Sequence, residues 1–114
     1  MELIGVVHLL PLPGSPTDAG MDVALATAEA DARAWLEGGA DALIVENFGD
    51  VPFEGDRVAP VTVAAMTRAA DRIVGLAGDR PVGVNVLRND AASALSIAHC
   101  CGARFIRVNV HVGA

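Results

Sequence analysis

Five polar side chains interrupt an otherwise apolar pattern, and each falls in the last residues of a short hydrophobic run. His8 ends Leu3–His8, Glu46 ends Ala42–Glu46, Asn85 falls late in Pro81–Val86, and Arg107 and Asn109 fall late in Phe105–Val110. Their chemistry is complementary. A glutamate in a partly desolvated mouth suits general acid or base work. A histidine moves protons near neutral pH. An arginine clamps a carboxylate or phosphate. The loops that follow the runs add Asn47, Asp50, Arg88, Asn89, Asp90 and His111. Glu46 and His8 are the candidate catalytic pair. Asn47, Asn85, Arg88, Asn89, Arg107 and Asn109 are the candidate substrate-binding set. Glu46 with Asn85 and Asn109 also offers oxygen donors of the kind a hard divalent cation takes. Each residue has a plainer reading as well: Glu46 and Arg107 pairing with each other, His8 hydrogen-bonded for structure, the asparagines holding loop backbone, Asp90 capping a helix and Asp50 serving a turn.

The four apolar runs show little polar alternation before their ends, which is the pattern of strands covered on both faces. Helical periodicity fills the intervals. Met21, Leu25, Ala28, Ala32 and Trp35/Leu36 step by three and four over 21–37, and Gly38-Gly39 stops the run. A second helix starts at Pro60 and carries Ala65, Ala69, Ile73 and Leu76 inward, ending at Gly78-Asp79-Arg80-Pro81. A third opens at Asn89-Asp90, carries Ala94, Leu95, Ala98 and Cys101 inward, and ends at Gly102. The order β-α-β-α-β-α-β implies right-handed units and a parallel sheet. A weak internal echo supports repeated units: Gly39–Glu46 and Gly102–Asn109 are each a Gly-Ala turn, an apolar strand and a polar end. Residues two apart on a strand share a face. One face then carries His8, Glu46, Asn85, Arg107 and Asn109 at the carboxyl ends, where barrels of this architecture place their sites.

The expected fold class is therefore α/β, a partial (β/α)8 TIM barrel. Residues 1–114 read as a single domain, the amino-terminal half of a barrel that takes about 250 residues when closed. Four open strands leave two bare edges, so either a longer chain or self-association through those edges is expected. The chain is 53% hydrophobic with mean hydropathy +0.45, which favours a packed core over disorder. Net charge is −6, with eight arginines and no lysine. That balance argues against nucleic acid and anionic membrane as general partners, and it suits a halophile or a GC-rich genome equally. No run approaches the length of a membrane span, and the amino terminus lacks a basic secretory signature. A reducing cytoplasm is the expected compartment. Adjacent Cys100 and Cys101, with no second pair nearby, make neither a bridge nor a zinc site. No Gly-rich phosphate loop, His-Glu-x-x-His or Gly-x-Ser-x-Gly occurs. The prolines of Leu9–Pro16 stiffen the loop after the first strand into a rim or lid.

Four segments resemble motifs of the BtpA family in the family's order: Gly5–Pro16, Val45–Phe53, Gly83–Asp90 and Phe105–Asn109. The resemblance implies a barrel grouped with the ribulose-phosphate-binding barrels and a chain matching the family's amino-terminal half. It also implies a role in photosystem I-type membrane complex biogenesis or stabilisation, and hence a possible peripheral membrane complex as partner. The family extends to archaea and non-photosynthetic bacteria, so that role is not its general one. The competing expectation is a metabolic enzyme of isomerase, lyase or hydrolase type. It would act on a small polar or phosphorylated metabolite, with Glu46 as acid/base or metal ligand. The sequence identifies no cofactor.

Overall fold

The computed structural model describes residues 2–47 and 57–108. The elements run β1 (Ile4–His8), α1 (Met21–Glu37), β2 (Ala42–Glu46), α2 (Pro60–Ala77), β3 (Val82–Asn85), α3 (Ala91–Cys101) and β4 (Phe105–Ile106). The strands form one parallel sheet in the order β1-β2-β3-β4. This is the expected α/β order, with each sequential pair of strands neighbouring through a helical crossover. Asn109, Asp50 and His111, and the expected extension of β4 to Val110, lie outside the described residues.

The alternation of side chains divides the sheet cleanly. Val7, Leu9, Leu43, Val45, Val82, Val84 and Val86 join the core, packed against Leu25, Ala28, Ala32, Met66, Ala69, Ile73, Ile97 and Ala98 of the helices. These residues are the outward, helix-covered face of the strands. The other face carries Ile4, Val6, His8, Ala42, Ile44, Glu46, Gly83, Asn85 and Phe105. Overall dimensions of 35 × 35 × 22 Å fit two layers, a sheet with its helices on one side.

Two glycines set the sheet's close contacts. A Cβ at Gly83 would lie 2.2 Å from the Phe105 ring, so the ring lies directly over the β3 backbone on the inner face. A Cβ at Gly5 would lie 2.3 Å from the Trp35 ring on the opposite face. Trp35 is therefore not the core residue its helical spacing suggests. It lies beside β1, 37% exposed, and its indole N–H donates to the Val6 carbonyl at 3.2 Å. Leu95 also departs from the expected inward set: it is 57% exposed, and Ile97 takes the buried position. The proline-rich loop is fastened by Leu9 and Leu12, both buried, and Gly14 packs on Val61 at the start of α2. It is a fixed rim. Cys101 is buried and Cys100 exposed. Burial pushes the Cys101 thiol above its ordinary value.

Candidate active site at the strand carboxyl ends

Parallel strands bring all their carboxyl ends to one edge of the sheet. Register then places the polar residues side by side. His8 pairs with Glu46, and Glu46 with Asn85. Gly83 pairs with Phe105, so Arg107 stands level with Asn85 two residues later. Of the expected inner set, His8, Glu46, Asn85 and Arg107 thus stand together at one edge of the sheet, with Glu46 in the middle.

Glu46 is 4% exposed. Asn85, 1% exposed, donates from Nδ2 to Glu46 Oε2 at 2.8 Å. The Arg107 guanidinium stands 3.8 Å from the same oxygen, and His8 Nε2 stands 3.6 Å from Oε1. Both are ion-pair distances longer than a hydrogen bond. The Arg107 and His8 side chains are about half exposed, at 48% and 54%, while the carboxylate beneath them is nearly covered. A buried charge needs compensation. Here the compensation comes from the Asn85 amide bond and the Arg107 guanidinium at ion-pair distance, with the His8 imidazole beside them. The pairing of Glu46 with Arg107 expected from the sequence is present in this long form. Asn85 Oδ1 is buried and has no hydrogen-bond partner among the described residues.

The loop residues separate into different jobs. Asn47, expected at a ligand, has both ends of its amide committed to backbone. Leu87 N–H donates to Asn47 Oδ1 at 2.6 Å, and Asn47 Nδ2 donates to Leu87 O at 3.2 Å. It is 1% exposed and ties the end of β2 to the β3–α3 loop. Strand alternation carried the signal for this, since Asn47 follows inward Glu46 and so turns the other way. Asp90 caps α3 as expected: its Oδ1 accepts from Ser93 N–H and its Oδ2 from the Ser93 hydroxyl. It also accepts from Val58 N–H at 2.8 Å, a bond that nothing in the local sequence indicates. Burial by itself would raise the Asp90 carboxyl. The Ser93 hydroxyl and amide, the Val58 amide and the Arg57 charge outweigh it and hold the carboxyl below its ordinary value. Asn47 and Val58 are therefore each fastened to the segment 87–90. Between Leu87 and Asp90 lie Arg88, exposed, and Asn89, half-buried with its Oδ1 unpartnered among the described residues.

Among the described residues no group of three or more His, Cys, Asp or Glu is placed to hold a metal ion. The Arg107 guanidinium, 3.8 Å from Glu46 Oε2, already supplies a positive charge beside the carboxylate. An open pocket of about 250 Å³ adjoins the cluster, lined by Val6, His8, Asp31, Ala34 and Trp35.

Comparison with known proteins agrees with this architecture. The chain is 55% identical over 112 residues to the photosystem I biogenesis protein BtpA of Synechocystis, covering 97% of this chain and 39% of that protein. It is 54% identical to an uncharacterised Archaeoglobus fulgidus protein, over 94% of this chain and 43% of the other. It is 31% identical to an uncharacterised mitochondrial protein of Caenorhabditis elegans, over 92% and 40%. The chain thus spans about two fifths of the length of these relatives. Among solved structures, dihydropteroate synthase from Anaplasma phagocytophilum superposes with a TM-score of 0.61 at 19% identity, over 98% of this chain and 49% of that one. That likeness supports a partial TIM barrel. The BtpA family model matches residues 1–114, and the chain belongs to the BtpA family.

Proposed function

We propose that this chain carries part of a metabolite site in a TIM-barrel protein, and that the site takes a small polar or phosphorylated metabolite for isomerase, lyase or hydrolase chemistry. One observation carries this reading: a nearly buried glutamate, Glu46, shared by His8, Asn85 and Arg107 from three other strands at the end of the sheet where barrels work. Structural ion pairs gain little from gathering four polar groups on four strands, and a buried cluster left partly unsatisfied is a cost without a ligand. In this reading Glu46 takes or gives the proton. Asn85 fixes its carboxylate through the Nδ2 bond, so the rotamer is set before a ligand arrives. His8 at the rim is a second proton carrier. Arg107 offers its guanidinium to an anionic group of the ligand or to charge that develops on it. Asn47, through Leu87, fixes the loop that presents Arg88 and Asn89. Asn109, outside the described residues, belongs to the proposed binding set on the sequence alone.

A thermal-shift screen against sugar phosphates, nucleosides and divalent cations tests the reading. At least one compound should stabilise the wild type and leave the Glu46→Gln/Asn85→Ala variant unmoved. Equal responses from both proteins refute it.

A second reading has its own observation, the 55% identity to a photosystem I biogenesis protein. In it the protein serves the biogenesis or stabilisation of a membrane complex, as a peripheral factor in the cytoplasm. No helix among the described residues is long and apolar enough to cross a membrane. Tagged protein should then sediment partly with membranes and leave them in high salt. Protein wholly in the supernatant at low salt contradicts this reading.

A further inference from the structure

We infer that Trp35 guards the open edge of β1 and holds it shut against pairing with a strand of a second copy of this chain. The guard works by occupying a backbone acceptor that an incoming strand would use.

The partners of β1 fix the direction of its peptide groups. Leu3 O accepts from Asp41 N–H, and Leu9 N–H donates to Glu46 O, so the odd-numbered residues turn their N–H and C=O groups to β2. Those of Ile4, Val6 and His8 therefore turn the other way, to the side where no strand pairs among the described residues. Such an edge is a template for another strand, and proteins blunt it with charge, proline, a bulge or a cover. The five residues of β1 read Ile-Gly-Val-Val-His, with no proline, lysine, arginine or acid among them. Leu3 and Ile4 at its start are each 44% exposed. This is an edge that invites pairing.

Trp35 supplies the cover. Its indole N–H donates at 3.2 Å to the Val6 carbonyl, the middle acceptor of the outward row. A Cβ built on Gly5 would press on Cγ, Cδ1 and Cδ2 of the ring together, so the five-membered ring lies face-on over the Gly5 backbone. Only a residue without a side chain lets the indole reach the edge. A strand joining β1 comes in along the plane of the sheet, where the indole N–H now meets Val6 O, and it must displace the ring. The ring is 37% exposed, so it can leave without opening the core. Asp31, one helical turn before Trp35, lines the opening beside this edge with Val6 and His8. A carboxylate there also opposes the approach of a second copy carrying a net charge of −6.

Sedimentation equilibrium of the 114-residue chain tests the inference by comparing the wild type with Trp35→Phe, Trp35→Ala and Gly5→Ala. Phenylalanine keeps an apolar ring and loses the N–H. Alanine at position 5 keeps the indole and drives it off the strand. Each variant, checked for folding by circular dichroism, should self-associate about five- to tenfold more tightly than the wild type, the factor expected when one hydrogen bond no longer has to be broken. In Gly5→Ala the emission of Trp35, the single tryptophan, should also shift to the red as the ring enters water. Weaker association of the two Trp35 variants would make the indole an anchor for a partner and overturns the inference. Unchanged association overturns it too, including absence of association in every protein. So does failure of all three variants to fold, which would make the indole contact a part of the core.

Discussion

Replacing Asn47 with alanine removes two hydrogen bonds at once, both to the backbone of a single residue. Leu87 is 8% exposed, so its N–H and C=O do not regain water when the amide is gone. Each orphaned buried group costs about 1–3 kcal/mol. Because the two share one side chain and one peptide segment, their losses overlap, and about 2–4 kcal/mol is the expected total. Set against the roughly 5–15 kcal/mol that holds a domain together, this is a large effect for a residue immediately after a candidate catalytic glutamate. Asn47→Asp retains an acceptor for Leu87 N–H and loses the donor to Leu87 O, so it should fall between wild type and alanine. Urea unfolding followed by far-UV circular dichroism and by the fluorescence of Trp35, the single tryptophan, provides the measurement. The midpoint should drop with the slope unchanged. A loss within about 0.5 kcal/mol, the range of ordinary surface substitutions, would show that the amide is not a clamp and would return Asn47 to the ligand-binding set.

Gly83→Ala drives a methyl group to 2.2 Å from the Phe105 ring and should cost about 1–3 kcal/mol as overpacking. Adding Phe105→Leu should recover part of that loss, and a double-mutant cycle without coupling would refute the contact. For Asp90 the sign follows from its lowered carboxyl. Its stabilisation is fully present above the ordinary aspartate value of about 4 and is lost as pH falls through the lower folded value. The stability gap between wild type and Asp90→Asn should therefore be widest near neutrality and close in acid; a gap that is constant with pH contradicts the cap-and-staple role.

The sequence alone determined the element order, the parallel sheet and the end of the sheet where polar groups gather. Alternation with a period of two is a local property: it fixes which residues share a face within each strand, and one choice of face gathers His8, Glu46, Asn85 and Arg107. Helix stops at Gly38-Gly39 and Gly102, and the Asp90 cap, were equally legible, because they are set by backbone groups only a few residues away. The contacts that join distant segments were not. Trp35 has a helical spacing that suits the core, yet the missing side chain at Gly5 and the Val6 carbonyl draw it to the side of β1. Asp90 reads as a cap, and its bond to Val58 depends on where the chain returns 32 residues away. Asn47 reads as a site residue by its neighbours in sequence, and only the sheet brings Leu87 within reach of its amide. The same division holds at the centre. The residue types belong to the sequence. Which of them would stand within 4 Å of Glu46, and that Asn85 would bond it while keeping an oxygen unpartnered, was decided by strand register and burial, which no local pattern encodes.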